Sequence, residues 1–124
     1  MTVERLQEMV SEFARRRDWE QFHTPKNLVM ALTGEVGELS EIFQWLTPEE
    51  SLAIRHSDAG RSKVDEELAD VFLYLVRLAD VLDVDLVAVA EAKVRLNERR
   101  YPADKARGRA VKYSELDSGD ATVG

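Results

Sequence analysis

Two short runs place acids in a pattern that can do chemistry. Residues 35–45 read EVGELSEIFQW and residues 65–78 read DEELADVFLYLVRL. A helix turns about 100° per residue, so positions can be placed around its axis. With Glu35 at zero, Leu39, Ile42, Leu32 and Leu28 fall at about 40°, 340°, 60° and 20°. Glu35 therefore sits within an apolar sector, and Glu38 flanks it. With Glu67 at zero, Val71, Leu78 and Leu75 fall at about 40°, 20° and 80°. Glu67 borders that stripe and Asp70 lies beside it. Glu41, Asp65 and Glu66 point away or to the side. The result is two E-x-x-[ED] pairs, each spanning one helical turn. If the two helices pack together, four carboxylates converge.

Such a cluster needs compensation, because neighbouring like charges and burial both raise carboxyl pKa values. A divalent cation supplies it. All-oxygen ligation points to Mg²⁺, with Mn²⁺ as the second choice, rather than to zinc. Such a Mg²⁺ site normally works on phosphates. His23 and His56, the two histidines, lie on neither acidic run. The E-x-x-H element of ferritin-like di-metal bundles is missing, which weakens a redox reading. The competing reading is plain: stripe-edge acids that are solvated, on a non-catalytic helical interaction module.

Other residues complete a possible site. The run NERRYPADKARG holds Asn97, Arg99, Arg100, Lys105, Arg107 and Arg109, cations suited to phosphate oxygens. The alternative is a basic helix end favoured by the helix dipole. Trp19, Phe22 and His23 precede the first acidic helix and Trp45 ends it. A planar base can stack on such rings, or they can cap the core where helices meet. Tyr74 lies near the acids, with its hydroxyl within reach of the site. Gly34 and Gly37 flank Glu35 inside a helix, each costing about 1 kcal/mol against Ala. Close helix approach or ligand access would explain them.

The elements that must carry these residues follow from periodicity and caps. Val3, Leu6, Met9, Val10 and Phe13 predict a helix over 3–18. Thr24 and Pro25 start a long helix over about 25–46. Thr47, Pro48 and Glu50 form a capping-box start for a short helix that fades near residues 55–60. Val64, Leu68, Val71, Leu75, Leu78 and Leu82 stripe a helix over about 61–82. Asp85 caps a last main helix over 86–100, with Leu86, Val89, Ala90, Lys93 and Leu96 along one side. Residues 101–113 read as basic and irregular. No run reads as a strand. The expected fold is an all-α bundle of four substantial helices plus one short one.

The chain has 124 residues, which suits one domain; we take it as 1–113, with 114–124 as a flexible tail. Hydrophobic residues make up 44% and charged residues 33%, a soluble composition. The core is modest at this size, so burial between subunits would help. The net charge of -7 argues against non-specific nucleic-acid or anionic-membrane binding. No apolar run approaches the roughly 18 residues of a membrane span, and the first turns carry acids rather than a signal sequence. There is no cysteine, hence neither disulfide nor thiolate site. A cytoplasmic setting is expected.

Three segments carry a resemblance: FHTPKNLVMALTGEVGELSEIFQW, EELADVFLYLVRLAD and KVRLNERRYPADKARGRAVKY. Together they resemble the MazG-like all-α nucleoside triphosphate pyrophosphohydrolases, and within them the dCTP pyrophosphatase branch. The likeness runs from about Phe13 to Tyr113. It implies that Glu35, Glu38, Glu67 and Asp70 bind Mg²⁺. It implies that Trp19, His23 and Trp45 shape the base and sugar pocket. It implies that Asn97, Tyr101, Lys105 and Arg109 lie in a segment closing over ligand and phosphates. It further implies cleavage of deoxynucleoside triphosphates between the α and β phosphates, and a homo-oligomer, dimer or dimer of dimers, with the active site built across a subunit interface. Clearing non-standard or excess deoxynucleotides is the implied role. Glu38, with Glu35 beside it, is taken as the carboxylate that activates water. The stretch from Trp45 to Glu66 is shorter than in the animal enzymes of that branch. That leaves the base open among dCTP, its 5-modified forms and another dNTP, and keeps a dUTPase-type phosphohydrolase as an alternative.

Overall fold

A computed structural model describes residues 1–116, and among these every regular element is helical. In chain order these are α1 (Val3–Arg16), α2 (Pro25–Phe43), α3 (Pro48–Ala53), α4 (Asp58–Val81), α5 (Leu86–Arg100) and α6 (Ala103–Ala106). Single 3₁₀ turns cover Glu20–Phe22, Ile54–His56 and Tyr113–Glu115. Contacts divide the chain into two compact units, one of residues 1–84 and one from Asp85 onward.

The helices begin where side-chain caps replace missing backbone acceptors. Thr24 Oγ1 accepts from Asn27 N at 3.2 Å, with Pro25 in the first turn. Thr47 and Glu50 form the full capping box, at 3.1 and 3.0 Å. Asp85 Oδ1 accepts from Ala88 N at 3.0 Å. Thr2 and Ser57 do the same for α1 and α4.

Helix ends differ from expectation in instructive ways. α1 stops at Arg16 rather than 18, because Asp18 turns left-handed at φ 54°. The Trp19 amide then bonds back to the Ala14 carbonyl at 2.9 Å. α2 closes at Phe43 rather than 46. α4 begins at Asp58, three residues before the expected start, since Ser57 caps it and Gly60 sits inside its first turn. Gly60 is needed there: a Cβ would stand 2.6 Å from Ile54 Cγ1. The segment over 101–113, expected to be irregular, contains α6.

In the first unit α2 and α4 pack along each other, and α1 lies against α4. Its buried residues are Ala14, Leu28, Val64, Val76, Arg77 and Ala79. This corrects the expected stripes. Leu68 and Leu82 are 50% exposed, and Met9 and Phe13 are also open. Periodicity marks an apolar face without saying whether this chain covers it. Close approach at Gly34 and Gly37 is likewise not found, for a Cβ at either would meet nothing within 4 Å.

The second unit holds α5, α6 and the Tyr113–Glu115 turn. The Tyr101 and Tyr113 rings meet edge to face at 6.2 Å, and the Arg100 guanidinium lies 4.7 Å over Tyr113. Of the tail expected over 114–124, Ser114 and Glu115 belong to this turn and Leu116 is buried. The rest lies outside the described residues. Among the described residues, no helix is long and apolar enough to cross a membrane.

Candidate active site

The packing of α2 on α4 brings the two acidic runs together. Carboxylate oxygens of Glu35, Glu38 and Glu67 lie within 4.8 Å of one another. Glu35 and Glu67 are half-buried and Glu38 is exposed. Oε2 of Glu35 and Oε2 of Glu67 are buried without a hydrogen-bond partner. Asp70 stands outside this trio but close enough for its charge to act on Glu35.

The electrostatics match that crowding. Burial raises the Glu67 pKa to about 7, helped by the adjoining Glu35 carboxyl and the charge of Glu38. Burial also raises Glu35, with the adjoining Glu67 carboxyl opposing the effect and the charges of Glu38 and Asp70 adding to it. A proton carried by Glu67 relieves the repulsion near neutral pH. Buried carboxylate oxygens lacking a donor, in an all-oxygen set, fit a hard divalent cation. The residues present therefore suit the expected metal.

Beside the acids lies a cavity of about 480 Å³ whose walls are mainly apolar. Leu6, Met9, Val10 and Phe13 of α1 form one wall, and Trp19 stands over it, edge to face on Phe13 at 5.7 Å. Glu35, Asp70, Tyr74, Arg77 and His23 supply polar groups. Arg77 is only 7% exposed. Its Nε donates to His23 Nδ1 at 3.0 Å and its Nη1 to Asp80 Oδ2 at 3.2 Å. Burial, and then the Arg77 charge, depress the His23 pKa, as an imidazole accepting through Nδ1 requires.

Of the residues singled out from sequence, Trp19, His23, Glu35, Asp70 and Tyr74 line this one cavity, with Glu38 and Glu67 completing the acid trio beside it. Trp45 follows α2 and is 87% exposed, away from the cavity lining. Asn97, Tyr101, Lys105 and Arg109 belong to the second unit. There Arg109 Nη1 donates to the Lys105 carbonyl at 3.3 Å, and its Nε is buried without a partner. Sequence reasoning missed Arg77 and the α1 wall. A signal for Arg77 existed: seven residues after Asp70, it falls within about 20° of the same helix face.

The model of the MazG-like family matches residues 31–116, well over half the chain. The chain belongs to the MazG-like family. This MazG-like chain is 49% identical over 118 residues to dCTP pyrophosphatase 1 of Homo sapiens, covering 95% of this chain and 69% of the human one. It is 48% identical over 118 residues to dCTP pyrophosphatase 1 of Bos taurus, covering 95% and 70% respectively. Among solved structures, a pyrophosphatase from Archaeoglobus fulgidus superimposes with a TM-score of 0.75 at 39% identity, covering 80% of this chain and 91% of that one. The family match over residues 31–116 includes all four acids, Glu35, Glu38, Glu67 and Asp70.

Proposed function

We propose that this MazG-like protein hydrolyses dCTP-type deoxynucleoside triphosphates to the monophosphate and pyrophosphate, clearing them from the nucleotide pool. The observation that carries the reading is the trio of Glu35, Glu38 and Glu67 opening beside a cavity walled by Trp19, His23 and Tyr74. Relatives at nearly half identity bear the name dCTP pyrophosphatase.

In this reading Glu35, Glu38, Glu67 and Asp70 hold Mg²⁺, with Mn²⁺ as a substitute. When bound, the cation neutralises phosphate charge and polarises the reacting phosphoryl group. The chain's own residues do the rest. Glu38 is the exposed member of the trio, so it has access to water and serves as the base that orients a water molecule and takes its proton. Glu35 supports that geometry from the half-buried side. The P–O bond bridging the α and β phosphates breaks, and the water oxygen replaces it on phosphorus. Trp19 presents ring surface to the base and Tyr74 stands at the sugar, while the apolar α1 wall limits water around the base. Asn97, Tyr101, Lys105 and Arg109 act on the phosphates.

Residues 1–113 serve as one hydrolytic domain, a four-helix MazG-like bundle completed in a homo-oligomer, dimer or dimer of dimers. Val29, Met30 and Val36 on α2, Leu68 and Phe72 on α4, and Trp45 beyond α2 are exposed in the single chain. So much open apolar surface supports a partner copy, and Trp45 reaches a site only in such an assembly. We place the activity in the cytoplasm, with deoxynucleotides as its ligands.

The test is thermal melting with Mg²⁺ and a dCTP analogue whose α–β bridge resists hydrolysis, followed by product analysis with each common dNTP and dUTP. Stabilisation that needs both ligands, and pyrophosphate as product, support the reading. A melting curve indifferent to both, with no turnover, identifies a non-catalytic helical module instead. Pyrophosphate from dUTP alone makes it a dUTPase-type enzyme.

A further inference from the structure

We propose that Arg77 selects the base, by donating to a nucleobase edge that presents adjacent hydrogen-bond acceptors, as the O2 and N3 edge of cytosine does. The inference rests on the proposed function and deepens it.

Arg77 is an unusual residue to find at the back of an apolar cavity. A buried guanidinium must be paired, since leaving it unpaired is costly. Here the pairing is partial. Nε is committed to His23 Nδ1 and Nη1 to Asp80 Oδ2. Among the described residues Nη2 has no hydrogen-bond partner, although the side chain is more than nine-tenths buried and lines the cavity. The two anchors hold the guanidinium plane still, so its spare N–H groups are aimed before any ligand arrives.

Position along α4 assigns those donors to the base rather than to phosphate. Ten residues separate Glu67 from Arg77, a rise of about 15 Å. Asp70 and Tyr74 stand between them on the same face. A nucleotide whose phosphates lie at the acids thus extends its sugar past Tyr74 and its base toward Arg77. The guanidinium carries donors and no acceptor. A base meeting it must offer acceptors. Cytosine offers O2 and N3 side by side, whereas uracil and thymine carry a hydrogen on N3 and oppose a donor there. Against the apolar wall of Leu6, Val10 and Phe13, water repairs that mismatch poorly.

Two comparisons test this. In the first, wild-type protein with Mg²⁺ is titrated calorimetrically with dCMP and with 3-deaza-dCMP, which lacks the N3 acceptor. We expect the deaza analogue to bind at least about tenfold more weakly; equal binding overturns the proposal without any variant. In the second, kcat/KM for dCTP and dUTP is measured for wild type, Arg77→Met and Arg77→Lys. Met keeps the buried volume without the donors, and Lys keeps the charge without the planar fork. We expect the dCTP-over-dUTP ratio to fall at least about tenfold in Arg77→Met, through loss on dCTP, with Arg77→Lys recovering part of it. A folded Arg77→Met that keeps the wild-type ratio overturns the proposal. If Arg77→Met fails to fold, Arg77→Lys and the analogue pair decide it. Wild type that hydrolyses dCTP and dUTP alike defeats this inference and leaves the function standing. Wild type that binds and hydrolyses no nucleotide defeats both.

Discussion

Arg77 and His23 are 54 residues apart in sequence, and the Nε–H of one meets the Nδ1 of the other at 3.0 Å. This hydrogen bond ties the turn ahead of α2 to the far end of α4. It also fixes a protonation state, because an imidazole that accepts at Nδ1 carries its hydrogen at Nε2. Nitrogen NMR of the ligand-free protein should therefore show His23 as the Nε2–H tautomer, with a pKa below the usual 6.5. The folded state binds fewer protons at His23 than the unfolded one does. This group's contribution therefore raises stability with pH through that window and lowers it on acidification. A His23 that titrates at or above 6.5 contradicts the arrangement.

Glu35 and Glu67 have the opposite sign. Glu67 is raised to about 7, so the metal-free folded protein holds a proton there that the unfolded chain gives up near 4.5. This group's contribution to stability therefore falls as pH rises from about 4.5 through 7. In melting scans without metal, Glu67→Gln should remove that decline, because the amide carries no charge to repel Glu35 and Glu38. Cation binding must displace the proton, so Mg²⁺ affinity should rise with pH up to about 7 and then level off. Calorimetric titrations at pH 6 and 8 check this. Affinity that is flat across that range, or a Glu67→Gln scan that parallels wild type, contradicts the assignment.

Glu38→Gln should cut turnover by about 10²-fold or more while leaving the melting temperature within a few degrees of wild type. Glu38 is exposed, so its amide replacement buries no new polar group. Undiminished hydrolysis by this variant would remove Glu38 from the mechanism.

The glycines separate packing from access. Gly60→Ala forces a methyl to 2.6 Å from Ile54 Cγ1 and should destabilise by about 1–3 kcal/mol in chemical denaturation. Gly34→Ala meets nothing within 4 Å among the described residues. In a dilute, unassembled chain it should stabilise α2 by about 1 kcal/mol through helix propensity. If it instead weakens the assembled form, the open face of α2 is where a partner copy sits.

Much of this was legible in the sequence, for physical reasons that also mark where legibility ended. The caps at Thr24, Thr47 and Asp85 are local chemistry, and the structure places helix starts there. Glu35, Glu38 and Glu67 were legible because one-turn spacing beside an apolar stripe is a geometric statement. The start of α4 was not, since Gly60 looks like a breaker until its contact with Ile54 is seen. Leu68 and Leu82 belong to an apolar face, but periodicity cannot say whether the cover is this chain or another. Arg77 was hidden by its neighbours: a lone cation within VFLYLVRLADV passes for a solvated residue until the fold shows it buried.

The central claim is the reaction itself, and phosphorus NMR of dCTP incubated with the protein tests it most directly. With Mg²⁺ the three triphosphate resonances should convert into those of dCMP and pyrophosphate, with little conversion in chelator and almost none with Glu38→Gln. Appearance of dCDP and orthophosphate would contradict the bond assigned here. An unchanged dCTP spectrum from folded, Mg²⁺-loaded protein would contradict the activity altogether.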